Sequence, residues 1–215
     1  MRSSRSFTKL LGTAQRRLGR LKGRAVLALQ PTTSVSDRDK HLAYVVIETQ
    51  NLWANFVRSY LLSCLLMPRR VLGGRVTLTN AAIRSPGDLL LCAAQVQKGP
   101  LAPAPTTRRE EPSWHDVQIF LRTCQTIGCS HLTVVQLGLS VQTRIFYDLP
   151  AFRNFYSHRN EESAERALGL VRRQYLITKA KHPTEALATS VLLRPQALVL
   201  DWLDELDVVM ALICE

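Results

Sequence analysis

The sequence has no run of the ~20 consecutive apolar residues that a bilayer-spanning helix needs. Its apolar stretch at 60–67 is shorter than that and ends at Pro68. The sequence also lacks a P-loop, a dinucleotide-binding fingerprint and a Gly-x-Ser-x-Gly elbow. Membrane insertion, nucleotide hydrolysis and acyl transfer therefore have no support, and we expect a cytoplasmic protein.

Regularly spaced cysteines are also missing. The five cysteines form no Cys-x-x-Cys pair, and their odd number fits no disulfide framework. The four histidines at 41, 115, 131 and 182 are isolated and have no spacing typical of metal ligands. We therefore expect buried, reduced thiols, no metal site and no cofactor.

Acidic residues are absent from positions 1–24, which hold eight Lys and Arg residues. The whole chain has a formal charge of +11, so these eight leave only +3 for residues 25–215. We therefore predict a basic N-terminal arm and linker at 1–34 and a helical domain with C-terminal helices at 35–215. The arm is consistent with contact to nucleic acid, an organelle transit peptide or a solubilising, partly helical tail. Its three glycines argue against a stable isolated helix, at ~1 kcal/mol each.

The rest of the chain predicts helices almost throughout, and the expected fold class is all-α, a helical bundle. Apolar residues recur with a helical period, and capping residues mark the helix starts. Ser113 is expected to cap one helix, and Val191-Leu192-Leu193 is the only strand-like piece. The proline-rich segment 98–112 is expected to be a mobile loop. The predicted helices span 37–67, 85–97, 113–128, 130–139, 150–159, 160–181, 183–193 and 195–213.

One segment, RNFYSHR at 153–159, concentrates chemically useful side chains. We expect it to form the first turns of a helix entered through Pro150. Residues four apart share a helix face, which places Asn154 and His158 on one stripe with Arg153 beside them. A cation, an amide and an imidazole next to aromatic side chains suit a phosphate-bearing ligand.

This segment resembles the R-x4-6-H motif of the HEPN superfamily, here Arg153-x4-His158 followed by the polar Asn154. The resemblance covers roughly residues 37–180 and implies a HEPN-like helical bundle. Active members are metal-independent endoribonucleases that commonly serve as toxins or antiviral defence effectors. The resemblance further implies RNA as substrate, a homodimer in which both motifs line one cleft, and an antitoxin or defence-system partner protein. No membrane partner is expected.

The chemistry assigns each residue a role in RNA cleavage. His158 can move protons near neutral pH, and Arg153 offers a fixed fork of donors to phosphate oxygens. Asn154 is expected to orient His158 or hold the scissile phosphate. Tyr156 and Arg159 are candidate substrate-binding residues. The resemblance further implies that polar residues of an early helix line the same cleft, here Glu48, Asn55 and Arg58.

Two alternatives stay open at this point. In a structural interpretation, Arg153 pairs with Asp148 and His158 caps a helix end. In a functional alternative, the chain is a non-catalytic helical nucleic-acid-binding or adaptor protein, or a structural subunit of a larger assembly held by its acidic C-terminal helix and basic arm.

Overall fold

The computed structural model describes residues 1–141, 144–191 and 194–215. Over these residues the protein is all-α, as predicted, with no β-strand and four isolated β-bridges. Its helices are α1 (Phe7–Ala28), α2 (Val35–Cys64), α3 (Pro86–Lys98), α4 (Val117–Thr126), α5 (Leu132–Ser140), α6 (Ile145–His158), α7 (Glu161–Gln174), α8 (Pro183–Ala188) and α9 (Leu198–Cys214).

The chain forms two compact units. Unit 1 comprises Met1–Gln15, Leu52–Gln142 and Val208–Glu215, and unit 2 comprises Arg16–Asn51 and Thr143–Asp207. The units do not follow the expected division after residue 34, because each takes part of α1, α2 and α9.

Aromatic side chains form the centre of unit 1. The Phe7 ring stacks on Tyr60 with centroids 4.5 Å apart, and Phe120 meets Tyr60 edge-on at 5.5 Å. Trp53 is buried beside Phe56, and its indole N–H donates to the His115 carbonyl at 3.2 Å. Such aromatic pairs add stability beyond the area that they bury. Unit 1 therefore has a core of its own.

Unit 2 is centred on Trp202. Its ring meets Phe152 edge-on at 5.2 Å, and its indole N–H donates to the Tyr175 hydroxyl at 2.9 Å. Tyr175 in turn donates to the buried Asp148 carboxylate at 2.6 Å. Residues of α6, of α9 and of the end of α7 thus share one hydrogen-bonded core.

The basic N-terminal segment is an integral helix. One stripe of α1 is buried, including Leu10, Leu18 and Leu21, while the Cβ position at Gly19 or Gly23 would face open space. Burying a leucine contributes roughly 1.5–3 kcal/mol, and an exposed glycine costs roughly 0.5–1 kcal/mol relative to alanine. The burial of these leucines therefore stabilises α1 by more than its glycines destabilise it. The glycines argue only against a helix that is not packed on the rest of the protein.

Capping residues set several helix starts. Ser85 forms a complete capping box with Asp88 at α3, and Asn160 caps α7 through the Ser163 N–H at 2.8 Å. The expected Ser113 cap was wrong: Asp116 accepts from the amides of the first turn of α4. A carboxylate next to free amides at a helix start is favoured by the dipole as well as by hydrogen bonding.

The C-terminal helices differ from the predicted ones in their ends. α8 stops at Ala188, and α9 begins at Leu198, three residues after the expected Pro195. The predicted helix end at Leu193 and most of the strand-like piece 191–193 lie outside the described residues.

Candidate functional site

The RNFYSHR segment lies at the end of α6, so the expectation that it begins a helix was wrong. α6 starts at Ile145, and Pro150 is inside it. Pro150 had been taken as a start signal, but the apolar residues before it continue the helix. Arg159 ends α6 in the left-handed conformation, with φ of 49°, and its N–H donates to the Phe155 carbonyl at 2.6 Å.

Two of the predicted catalytic side chains, Arg153 and His158, are exposed, and Asn154 is half-buried. Helical spacing puts Asn154 and His158 on one stripe, with Arg153 on the neighbouring one. Within the described part of the chain, these three side chains form no hydrogen bond or ion pair with another residue. They are therefore open to a ligand.

The structure contains neither an ion pair between Arg153 and Asp148 nor a helix cap formed by the His158 side chain among the described residues. Asp148 accepts from Tyr175 and pairs with Arg144 at 3.5 Å rather than with Arg153. Burial raises the pKa of Asp148, against the lowering effect of Tyr175 and Arg144. His158 is the last residue of α6, and its side chain caps nothing among the residues described.

Tyr156 does not offer the stacking surface expected of it. Its ring is buried, and its hydroxyl lies 2.9 Å from the Thr184 hydroxyl. Burial also raises the pKa of Tyr156 well above its ordinary value. The side chain therefore belongs to the core of unit 2.

Arg159 is engaged in an internal network. Its guanidinium donates to the Asp39 carboxylate at 2.6 Å, and the Thr184 hydroxyl donates to the other Asp39 oxygen at 2.5 Å. Burial alone would raise the pKa of Asp39, but the bonds from Thr184 and Arg159 hold it below its ordinary value. No local sequence pattern predicts this network, because Asp39 and Arg159 are 120 positions apart.

The early-helix candidates separate into different units. Glu48 belongs to unit 2, where it accepts from the Asn51 amide at 3.0 Å. Asn55 and Arg58 belong to unit 1, whereas the RNFYSHR segment belongs to unit 2.

Asn55 and Arg58 hold the proline-rich segment 98–112. Arg58 makes a two-pronged ion pair with Glu111, at 2.6 and 2.7 Å, and Asn55 accepts from Arg108 at 2.9 Å. The Trp114 indole N–H also donates to Glu111 at 2.8 Å. The segment expected to be mobile is thus anchored through a carboxylate that is only 6% exposed.

The acidic C-terminal helix finds a basic partner within the same chain. In unit 2, the Lys22 ammonium group lies 2.7 Å from Asp204 and 3.4 Å from Asp207. Lys22 is one of the eight basic residues at 1–24, so part of the charge assigned to an intermolecular contact is paired within the chain.

The position of the motif on α6 has an electrostatic consequence. The carboxyl end of a helix carries partial negative charge, which stabilises nearby cations by roughly 0.3–1 kcal/mol at exposed sites. The field therefore favours cations over anions at this end of α6. The amino end of α6 lies at the other end of that helix, whereas α7 begins at Glu161, two residues after Arg159, with Asn160 as its cap.

The described residues contain no group of three or more His, Cys, Asp or Glu side chains placed to hold a metal ion. Among the helices described, none has both the length and the apolar composition required to cross a membrane.

No protein-family model, no curated protein and no solved structure matches this chain. The fold class is all-α.

Proposed function

We propose that the exposed polar face at the end of α6 binds RNA and that the protein is a metal-independent endoribonuclease of HEPN type. The observation that carries the proposal is the exposure of Arg153 and His158 with no partner in the described part of the chain. The proposal combines this exposure with the R-x4-H spacing and the all-α fold.

The reaction needs a proton acceptor, a proton donor and a cation that stabilises the phosphoryl charge. The RNA 2′-oxygen attacks the adjacent phosphorus, the bond to the 5′-oxygen breaks, and a 2′,3′-cyclic phosphate remains on one product. His158 takes the 2′-hydroxyl proton or supplies a proton to the leaving 5′-oxygen. Arg153 stabilises the charge on the phosphoryl oxygens, the kind of interaction that often contributes most to catalysis. Asn154 orients His158 or the phosphate.

One such face supplies a single imidazole. A homodimer would place a second imidazole across the same cleft and let one histidine act as base and the other as acid. A role as a toxin or antiviral defence effector, restrained by a partner protein, belongs to the same proposal through the HEPN resemblance.

The test is RNA cleavage in EDTA by the wild type and by His158→Ala, with Ser157→Ala as the matched control. Ser157 is the exposed neighbour on the same helix turn, so its loss reports any general effect on α6. We expect the wild type and Ser157→Ala to leave cyclic-phosphate ends and His158→Ala to be inactive. Equal cleavage by all three would show that His158 takes no part.

A second candidate is a non-catalytic helical protein that binds nucleic acid or acts as an adaptor in a larger assembly. It is favoured by the exposed arginines of α1 in unit 2, Arg16, Arg17 and Arg20. Binding of RNA without cleavage, unchanged in His158→Ala, would support this candidate over the nuclease.

A further inference from the structure

A cavity of about 500 Å³ lies in unit 1, between the segment that precedes α1 and the loop that follows α2. Its walls are formed by Ser6, Thr8 and residues 69–73. Backbone hydrogen bonds join the two sides: the Phe7 N–H donates to the Arg69 carbonyl, and the Arg69 N–H donates to the Arg5 carbonyl, each at 2.9 Å. The cavity is therefore a built feature of the fold, within the size range of small-molecule sites.

The loop 69–74 holds one of its arginines in place. The Arg70 N–H donates to the Gly74 carbonyl at 3.1 Å, and Gly73 and Gly74 have φ of 99° and 76°. The Arg70 guanidinium lies so close to Gly74 that a Cβ added there would be 2.7 Å from Nη2. Glycine at this position thus supplies both the backbone conformation and the room for the guanidinium.

Unit 1, which contains this cavity, is basic, and its one acid near the cavity is Glu215, which follows Cys214, whose carbonyl accepts from the Val71 N–H at 3.0 Å. Unit 1 contains twelve Lys and Arg residues and five Asp and Glu residues, a formal charge of +7. Four of the five acids have structural roles elsewhere: Asp88 and Asp116 cap helices, Glu110 accepts from the backbone of Thr106, and Glu111 pairs with Arg58. Over the described ranges, Arg69 and Arg70 form no ion pair.

The start of α1 adds to the same field. Its first turn contains no acidic residue, and the Ser6 and Thr8 hydroxyls line the cavity. The amino end of a helix carries partial positive charge, which favours an anion. Ser6, Thr8, Arg69 and Arg70 thus line one space beside a positive helix end.

We propose that this cavity binds a phosphate group. Arg69 and Arg70 supply charge-assisted hydrogen bonds to the phosphate oxygens, and Ser6 and Thr8 supply neutral ones. A nucleotide and the backbone of a single-stranded RNA both carry this group. The site is separate from the face at the end of α6, and it stands whether or not that face cleaves RNA.

The experiment follows backbone amide signals of the full chain by NMR during titration with inorganic phosphate, adenosine monophosphate or a short single-stranded RNA. We expect saturable shifts at residues 6–8 and 69–73 with at least one phosphate probe. Saturation by phosphate and the nucleotide identifies a free phosphate compound as the ligand. Saturation by RNA alone identifies a nucleic-acid backbone. The absence of saturable shifts at these residues with all three probes would overturn the proposal.

Two double variants separate local binding from net charge. Arg69→Ala with Arg70→Ala should weaken phosphate binding at least tenfold, since each charge-assisted bond contributes enough for about that factor. Arg109→Ala with Arg122→Ala removes the same charge from other exposed positions of unit 1 and should leave the affinity within about twofold. Equal weakening in both variants would show a general charge effect and overturn the proposal.

Thr8→Glu separates binding from folding. A carboxylate in the first turn of α1 is favourable for the helix, so the melting temperature should not fall. The same carboxylate occupies the cavity with negative charge and should abolish phosphate binding. Undiminished binding in this variant would contradict the proposed site. RNA cleavage by His158→Ala is a separate measurement, so the two proposals can fail independently.

Discussion

Arg159 and Asp39 form an ion pair of 2.6 Å although they lie 120 positions apart in the sequence. The pair joins the residue that ends α6 to the first turns of α2, within unit 2. Arg159 also has φ of 49°, a conformation that costs a non-glycine residue roughly 1–2 kcal/mol. Its side chain and its backbone thus act on stability in opposite directions.

Comparing Arg159→Gly with Arg159→Ala isolates the backbone contribution. Both variants lose the ion pair, which is half-exposed and contributes about 0–1 kcal/mol. Glycine relieves the left-handed conformation, so the free energy of unfolding of Arg159→Gly should exceed that of Arg159→Ala by about 1 kcal/mol. Denaturant unfolding measures both values. Equal stabilities would mean that the left-handed conformation carries no cost at this position.

Tyr175→Phe should destabilise unit 2. The substitution removes the donor to the buried Asp148 and the acceptor for the Trp202 indole N–H. The loss of these two buried hydrogen bonds costs about 2–4 kcal/mol in the free energy of unfolding, although Asp148 keeps its ion pair with Arg144. Tyr147→Phe is the control, because the Tyr147 side chain is 64% exposed, and it should leave the stability unchanged.

Glu111 predicts an acid-sensitive contribution to stability. Burial alone would raise its pKa, but the bonds from Arg58 and Trp114 and the charges of Arg58 and Arg108 hold it below the ordinary value. A carboxyl group whose pKa is lower in the folded state makes its full contribution to the free energy of unfolding at pH values above the ordinary carboxyl pKa. That contribution is lost as pH falls through the folded-state pKa.

Glu111→Gln should therefore lower the free energy of unfolding by roughly 2–3 kcal/mol at neutral pH. The difference from the wild type should shrink as the pH falls below about 4, since the wild type then loses its own charge. Unfolding curves at several pH values measure this difference. A difference that is constant with pH would show that the carboxylate charge is not what holds segment 98–112.

Pro150→Ala should stabilise α6. Proline inside a helix removes one hydrogen bond and crowds the carbonyl four residues earlier, at a cost of roughly 3 kcal/mol. Removing the proline removes this cost, but it also gives the unfolded chain more conformational freedom, which stabilises the unfolded state. We therefore expect a net increase of about 1–2 kcal/mol in the free energy of unfolding. Thermal unfolding checks the change. An unaltered melting temperature would mean that α6 already accommodates the proline without strain.

Neutralising Arg16, Arg17 and Arg20 tests whether α1 contacts RNA. If it does, the triple glutamine variant should bind RNA more weakly. The slope of log affinity against log salt concentration should also become shallower, by roughly 0.7 for each phosphate contact that is lost. An identical salt dependence would remove α1 from RNA binding.

The sequence predicted what local signals determine. The helical period and capping residues such as Ser85 and Asn160 gave the all-α class and several helix starts close to their observed positions. The predicted helix boundaries were wrong where one residue type is compatible with two positions in a helix. Pro150 is typical of a helix start, yet it lies inside α6 because the residues before it are apolar and continue the helix.

Long-range partners could not be predicted. The pairing of Arg58 with Glu111 and of Tyr156 with Thr184 depends on packing between distant segments, which no local pattern encodes. The same limit applies to exposure: Arg153 and His158 are open as expected, but Tyr156 in the same seven residues is buried. Helical spacing assigns residues to stripes, and only the packed structure decides which stripe faces inward.

The positions of the five cysteines allow the local opening of unit 1 to be measured. All five thiols are buried, and all five belong to unit 1. A thiol-alkylating reagent can therefore modify the chain only when unit 1 opens, so the modification rate reports the opening equilibrium of that unit without an engineered label. Of the three tryptophans, Trp202 alone belongs to unit 2, so its fluorescence can be followed in parallel once Trp53 and Trp114 are replaced.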